Sequence, residues 1–124
     1  VLKHDVISGG VFGHMHLRGK DVSFRATQPG GRSELLLEVP NYNFDWQMAY
    51  SFKTPKRLPK GTRIDVLAHF DNSVFNPYNP DASKAVGFGL QTLQEMMYCF
   101  LFYVREHEDL DVRVDPKSGY ERSR

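Results

Sequence analysis

Cysteine is nearly missing from this chain of 124 residues: Cys99 is the only one, and a single thiol excludes an internal disulfide. The chain also has no large excess of either charge sign, because 16 Lys and Arg residues nearly balance 15 Asp and Glu residues and leave a formal net charge of +1. No apolar run approaches the roughly 20 residues that a membrane-spanning helix needs, and no basic tract carries interleaved aromatic residues. We therefore expect neither a membrane segment nor a nucleic-acid partner.

A starting methionine and a signal peptide are also missing. The chain opens with VLKHDV, so we expect it to be a piece of a longer protein from which localisation signals have been removed. The length suits a single domain that buries one core. We predict one domain over residues 1–115, followed by a charged tail, residues 116–124, that frays.

The chain contains many short runs in which apolar and polar residues alternate, and turn residues separate these runs. Apolar residues occupy every second position in residues 22–26 and 64–70, and Leu35 and Leu37 alternate with Glu34, Leu36 and Glu38. The adjacent glycines of ATQPGGRSE, residues 26–34, predict a tight hairpin. Together these runs predict an all-β fold, an antiparallel β-sandwich.

Two later segments are harder to interpret. In LQTLQEMMYCFLFYVREHE, residues 90–108, apolar residues recur at helical spacing, yet the aromatic second half suits a buried strand equally well. Pattern alone leaves both structures open. DNSVFNPYNPDASKA, residues 71–85, predicts an irregular loop, and loops of that length in compact domains are often functional.

The stretch GVFGHMHLRGK, residues 10–20, raises the question of a metal site. On a strand, His14 and His16 point to the same face about 6.5–7 Å apart, and Met15 points to the other. Two imidazoles at that spacing can converge on one ion, because each metal–nitrogen bond is about 2 Å long. The alternative is that both histidines are unliganded side chains on a solvated strand face.

A metal site would need a third ligand, and the type of ligand would select the metal. A thioether beside two imidazoles suits copper, with the sulfur favouring Cu(I), whereas a carboxylate suits non-haem iron or zinc. The candidates are His4, His69, His107, the acidic residues and the methionines Met96 and Met97, which otherwise read as core filling. Cys99 has apolar neighbours that would raise its thiol pKa, so we do not expect a nucleophile there.

Three motifs in order resemble one family. GHMHLRGK, LPKGTRIDVLAHFDN and GFGLQTLQEMMYCFLFYV are similar to segments of the C-terminal domain of the copper type II, ascorbate-dependent monooxygenases, over roughly residues 10–105. That family includes peptidylglycine α-hydroxylating monooxygenase and dopamine β-monooxygenase, and the likeness is greatest to bacterial members. The resemblance implies a jelly-roll-type β-sandwich and favours an exported or periplasmic location. It also implies a turn followed by a strand over residues 96–104, which we expect to be central.

The resemblance further implies one copper ion held by His14, His16 and Met96, where O₂ is bound and a C–H bond of a small-molecule substrate is hydroxylated. The electrons come from a second copper in a preceding domain, whose three histidines are not found here. A redox partner, a missing N-terminal domain or an external reductant such as ascorbate would have to supply these electrons. The family's disulfide positions fall at Ala68 and Met97, so that bridge is missing.

Two functions follow from these observations. The first is a copper-binding domain of a monooxygenase-like protein, an oxidoreductase that is catalytic only with an electron donor. The second is a non-catalytic β-sandwich module that has no functional metal and uses the NPYNP loop, residues 76–80, for recognition. The sequence identifies no substrate and no catalytic residue, and the expected site residues are the three metal ligands His14, His16 and Met96.

Overall fold

The computed structural model describes residues 1–108 and 113–120, and within them the chain is built from strands. These are β1 (Val6–Met15), β2 (Gly19–Thr27), β3 (Ser33–Val39), β4 (Ala49–Leu58), β5 (Arg63–Phe70) and β6 (Met97–Arg105), with one 3₁₀ turn at Phe44–Trp46. In this part of the chain we find no helix that has the length and apolar character to span a membrane.

The six strands form two antiparallel sheets of three strands each. In the first sheet β1 lies between β4 and β6, and in the second β2 lies between β3 and β5. Consecutive strands β1 and β2 therefore belong to different sheets. The all-β, antiparallel architecture expected from the alternating runs is confirmed.

One core lies between the two sheets. From Val22 to Ala26 every second residue of β2 is buried, as the period-two pattern predicts, and these side chains meet those of β1. The core consists of Val6, Val11, Met15, Val22, Phe24, Ala26, Leu36, Tyr42 and Leu58. Ile64, Val66, Ala68 and Phe70 of β5 pack against it from the second sheet, so the pattern over residues 64–70 also marks an inward face.

Strand β3 departs from the predicted alternation. Leu36 belongs to the core and Leu35 is exposed, whereas the pattern grouped Leu35 with Leu37. The reason is a register shift: Phe24 pairs with Leu37 but Arg25 pairs with Leu35, so Leu36 is an extra residue. A β-bulge of this kind turns the extra side chain relative to its neighbours. The preceding hairpin is as predicted, with Gly31 at a φ of 83°.

Residues 97–105 form a strand, so the helical alternative for residues 90–104 is wrong and the strand prediction is right to within one residue. The expectation of a central strand is wrong. Within the described residues β6 pairs only with β1 and lies at the edge of its sheet. The strong apolar character of β6 therefore does not reflect burial on both sides, and many of its side chains are exposed.

The end of the predicted domain is only partly described. Residues 115–120 form a turn in which the Gly119 N–H donates to the Asp115 carbonyl and the Asp115 N–H donates to the Tyr120 carbonyl. Residues 109–112 of the predicted domain and residues 121–124 of the predicted tail lie outside the described part of the chain.

Tyr42 fastens the end of β1 to the core. Its buried hydroxyl donates to the Met15 carbonyl oxygen at 2.7 Å and accepts from the Met15 N–H at 2.9 Å, and burial raises the pKa of this phenol. Gly19 makes room for the ring, because a Cβ there would lie 2.8 Å from Tyr42 Cδ1. Tyr42 thus holds the residue between His14 and His16.

Replacing Tyr42 with Phe should destabilise the fold by about 1–3 kcal/mol, because two buried backbone groups of Met15 lose their partner. Urea unfolding would measure this change. Tyr103→Phe is the matched control: Tyr103 is half-exposed, and its change should stay within about 0.5 kcal/mol. Equal effects of the two substitutions would contradict a special role for Tyr42.

Candidate metal centre

The two imidazoles of the His-x-His motif lie side by side at the end of β1. Their ring centroids are 5.1 Å apart and the ring planes are nearly perpendicular, at 84°. His14 belongs to β1, and His16 follows its last residue. His16 is 4% exposed. Met15 points the other way, into the core, as the strand pattern predicts.

Each imidazole has a hydrogen-bond partner at Nδ1. His14 Nδ1 lies 2.6 Å from Gln47 Oε1, and His16 Nδ1 lies 3.0 Å from the Gln94 carbonyl oxygen. A carbonyl oxygen only accepts, and Gln47 Nε2 already donates to the Phe44 carbonyl, so both Nδ1 atoms act as donors. In the neutral imidazoles each Nε2 then carries a lone pair that is available to a metal ion.

Met96 lies directly opposite His16. The pairing of Met15 with Met97 continues by one residue, since the His16 N–H donates to the Met96 carbonyl at 3.2 Å. Directly opposed residues of an antiparallel pair share a face and have Cβ atoms about 5 Å apart. Met96 is buried, although it does not belong to the connected cluster of core side chains between the sheets.

The other predicted ligands lie elsewhere. Met97 pairs with Met15, on the opposite face from His14. His69 lies on β5 of the second sheet, where its Nδ1 is 2.6 Å from Asp21 Oδ1. His4 and His107 line a hollow of about 400 Å³ near the start of β1, at the other end of a strand of ten residues. Across the residues that the structure describes, no three His, Cys, Asp or Glu side chains form a metal-holding group.

Phe44 covers both imidazoles. Its ring centroid lies 6.4 Å from that of His14 and 6.3 Å from that of His16, with edge-to-face inclination. The 3₁₀ turn that carries Phe44 begins at Asn43, whose side chain accepts from the Asp45 N–H. Gln47 follows this turn directly and contacts His14. One short segment therefore supplies both the ring that covers the imidazoles and a hydrogen-bond acceptor for His14.

Arg18 connects the loop of residues 71–85 with the loop that precedes Met96. Its side chain is almost fully buried, and it donates to Asn72 Oδ1 at 2.8 Å and to the Leu93 carbonyl at 2.6 Å. Among the described residues it has no carboxylate partner within salt-bridge distance. Leu93 precedes Gln94, whose carbonyl orients His16. Sequence reasoning missed Arg18, although its place two residues after His16 is a signal that could have drawn attention to it.

Cys99 lies on the inner face of β6, opposite Gly13. Burial raises the pKa of its thiol, and a hydrogen bond with the His14 backbone offsets part of that rise. A thiol with a raised pKa has little thiolate at neutral pH and reacts slowly. The expectation that Cys99 is not a nucleophile agrees with this environment.

Comparisons with protein-family models, with curated proteins and with solved structures returned no match for this chain.

Replacing Arg18 with Lys should loosen the loop that carries Met96, because one ammonium group cannot span the acceptors that the guanidinium bridges. Amide hydrogen exchange of residues 93–96 should accelerate by about tenfold or more, whereas exchange in β2 stays unchanged. Arg32→Lys, at the exposed tip of the hairpin, is the control and should change neither. Unaltered exchange at residues 93–96 would show that Arg18 is not needed there.

The Cys99 thiol should react with iodoacetamide at pH 7.5 about tenfold more slowly than free cysteine, because desolvation disfavours the thiolate. The rate should rise to the free-cysteine value in denaturant and should increase as pH rises through the elevated pKa. Mass spectrometry of the alkylated protein measures both. Alkylation of the folded chain at the free-cysteine rate would contradict a buried, unreactive thiol.

Proposed function

We propose that this chain is a copper-binding domain and that His14, His16 and Met96 hold one copper ion. The observation that supports the proposal most directly is the pair of adjacent imidazoles whose Nδ1 atoms are both engaged as donors. Metal-ligating histidines almost always donate their second ring nitrogen to an oxygen in this way, which orients the ring.

The donor set fits copper better than zinc or iron. Two imidazole nitrogens and one thioether sulfur suit Cu(I), whereas zinc and non-haem iron sites with two histidines use a carboxylate or thiolate as well. Such an additional ligand is missing among the described residues around His14 and His16. The buried position of Met96 directly opposite His16 supports its thioether as the third ligand.

The reaction class that follows from the family resemblance is hydroxylation. In balanced form a substrate R–H, O₂, two electrons and two protons give R–OH and water. Bound copper would supply the one-electron redox chemistry with O₂. The electrons would come from a reductant such as ascorbate, from a redox partner or from a further domain.

The residues of the chain contribute positioning and exclusion of water. Gln47 and the Gln94 carbonyl hold the two rings at a fixed orientation, and Phe44 and the loop around Met96 shield His16. His14 is only partly buried, so the open side of the centre lies next to it. We further propose that the two sheets form the jelly-roll-type sandwich of the same family, in an exported or periplasmic protein.

Replacing Met96 with Ile should weaken Cu(I) binding by about tenfold or more and leave Cu(II) binding nearly unchanged, because a soft thioether matches the soft Cu(I) ion. Ile keeps the apolar volume, so the cost in folding free energy should stay below about 1.5 kcal/mol. Competition with a Cu(I)-selective chelator measures the affinity. The protein should be prepared without an affinity tag.

Met97→Ile is the matched control, since this methionine is next in the chain but points to the opposite face. It should leave Cu(I) affinity unchanged. If both variants bind Cu(I) as tightly as the parent chain while folded, Met96 is not a ligand. If the parent chain binds no copper, the proposal fails and the result supports the alternative, a non-catalytic β-sandwich module.

A further inference from the structure

Four aromatic side chains lie in a row on the outer face of the first sheet, and the row begins beside His14. Phe100 pairs directly with Phe12, Tyr98 pairs with His14, and Phe102 pairs with Gly10. Because Cys99 and Leu101 pack against the core, the alternate residues of β6 face outward. We name Phe12, Tyr98, Phe100 and Phe102 the aromatic strip.

The aromatic strip is accessible and continuous. Tyr98, Phe100 and Phe102 are each about half exposed, and the Phe12 and Phe100 ring centroids lie 6.0 Å apart with planes inclined by 36°. From Tyr98 to Phe102 the strip extends about 13 Å along β6. A molecule of two fused rings is short enough to lie within that length.

The part of the aromatic strip nearest His14 is flanked by uncharged segments. The ion pair of Arg57 and Glu106 lies at the far end of the strip, where Arg57 pairs with Ile7 and Ile7 pairs with Val104. Residues 6–15, 46–52 and 96–104, which include β1, most of β6 and the segment beside His14, contain no Asp, Glu, Lys or Arg. A charged group placed on Tyr98 and Phe100 would lose part of its hydration, and these segments offer it no opposite charge. An uncharged aromatic molecule would instead stack on the rings and bury apolar surface.

We propose that the aromatic strip binds the substrate and that this substrate is an uncharged, apolar aromatic molecule. The proposal rests on the proposed copper function, because Tyr98 lies opposite His14 and a ring stacked on Tyr98 and Phe100 is brought to the open side of the metal centre. The strip then acts as the platform on which the substrate lies, and its lack of charge determines which substrates are accepted.

The test uses three matched probes with one ring system: 2-naphthalenemethanol, 2-naphthoate and 2-naphthylmethylammonium. NMR titration of the whole chain should show that the neutral probe binds about tenfold more tightly than either charged probe. Its protons should give nuclear Overhauser contacts to the rings of Tyr98 and Phe100. These measurements on the parent chain need no variant, so they do not depend on a variant folding.

Two substitutions sharpen the test. Phe100→Ser should weaken binding of the neutral probe about fivefold or more, whereas Phe75→Ser, at a phenylalanine that is 89% exposed on the loop of residues 71–85, should not. Phe100→Arg should reverse the preference and favour 2-naphthoate. Equal binding of the three probes, or contacts elsewhere on the chain, would overturn the inference.

Cu(I) titration of the parent chain is carried out separately, so that the two proposals fail in different ways. Cu(I) binding without binding of the neutral probe overturns the substrate inference and leaves the metal centre intact. Binding of the probe on the strip without Cu(I) binding overturns the metal centre and, with it, the role of the bound molecule as substrate. A dimer in sedimentation that Phe100→Ser converts to monomer also overturns the inference, because a second copy would then occupy the strip.

Discussion

The antiparallel pairing of β1 with β6 is the constraint on which the candidate centre depends. It joins segments more than eighty positions apart in sequence, and its register sets Met97 against Met15 and therefore Met96 against His16. A slip of one residue would turn every side chain of β6 to the other face. Met97 would then face the imidazoles and Met96 the core side. The slip would turn Cys99 and Leu101 away from the core, and the loss of their contacts there opposes it.

Much of this arrangement follows from short-range sequence patterns, and some of it does not. The shared face of His14 and His16 follows from the two-residue period of a strand, and the β2–β3 hairpin follows from its paired glycines. The bulge at Leu36 and the edge position of β6 depend on how strands pair across the fold, which alternation does not encode. The oxygens that accept hydrogen bonds from His14 and His16 belong to Gln47 and Gln94, which lie 33 and 78 positions away in the sequence. Local spacing carries no information about contacts at that range.

The hydrogen bonds at the two imidazoles would allow the proposed copper centre to form without a charged ligand. Each ring loses rotational freedom through a bond at Nδ1, so less entropy remains to be lost when Nε2 binds an ion. Gln47 is itself oriented by its bond to the Phe44 carbonyl. The Gln94 carbonyl belongs to a loop that is held by Arg18. Orientation at the centre therefore depends on polar contacts from two separate segments.

Arg18 shows how that loop can be ordered without a carboxylate. A buried guanidinium is costly unless its donors are satisfied, and here the acceptors are an amide side chain and backbone carbonyls from different loops. A carboxylate in the same place would form a simple ion pair and would also offer a hard oxygen ligand close to His16. Neutral acceptors satisfy the arginine, and in the proposed centre they leave the thioether of Met96 as the third ligand. The proposed preference for Cu(I) over zinc thus depends partly on how the buried charge of Arg18 is satisfied.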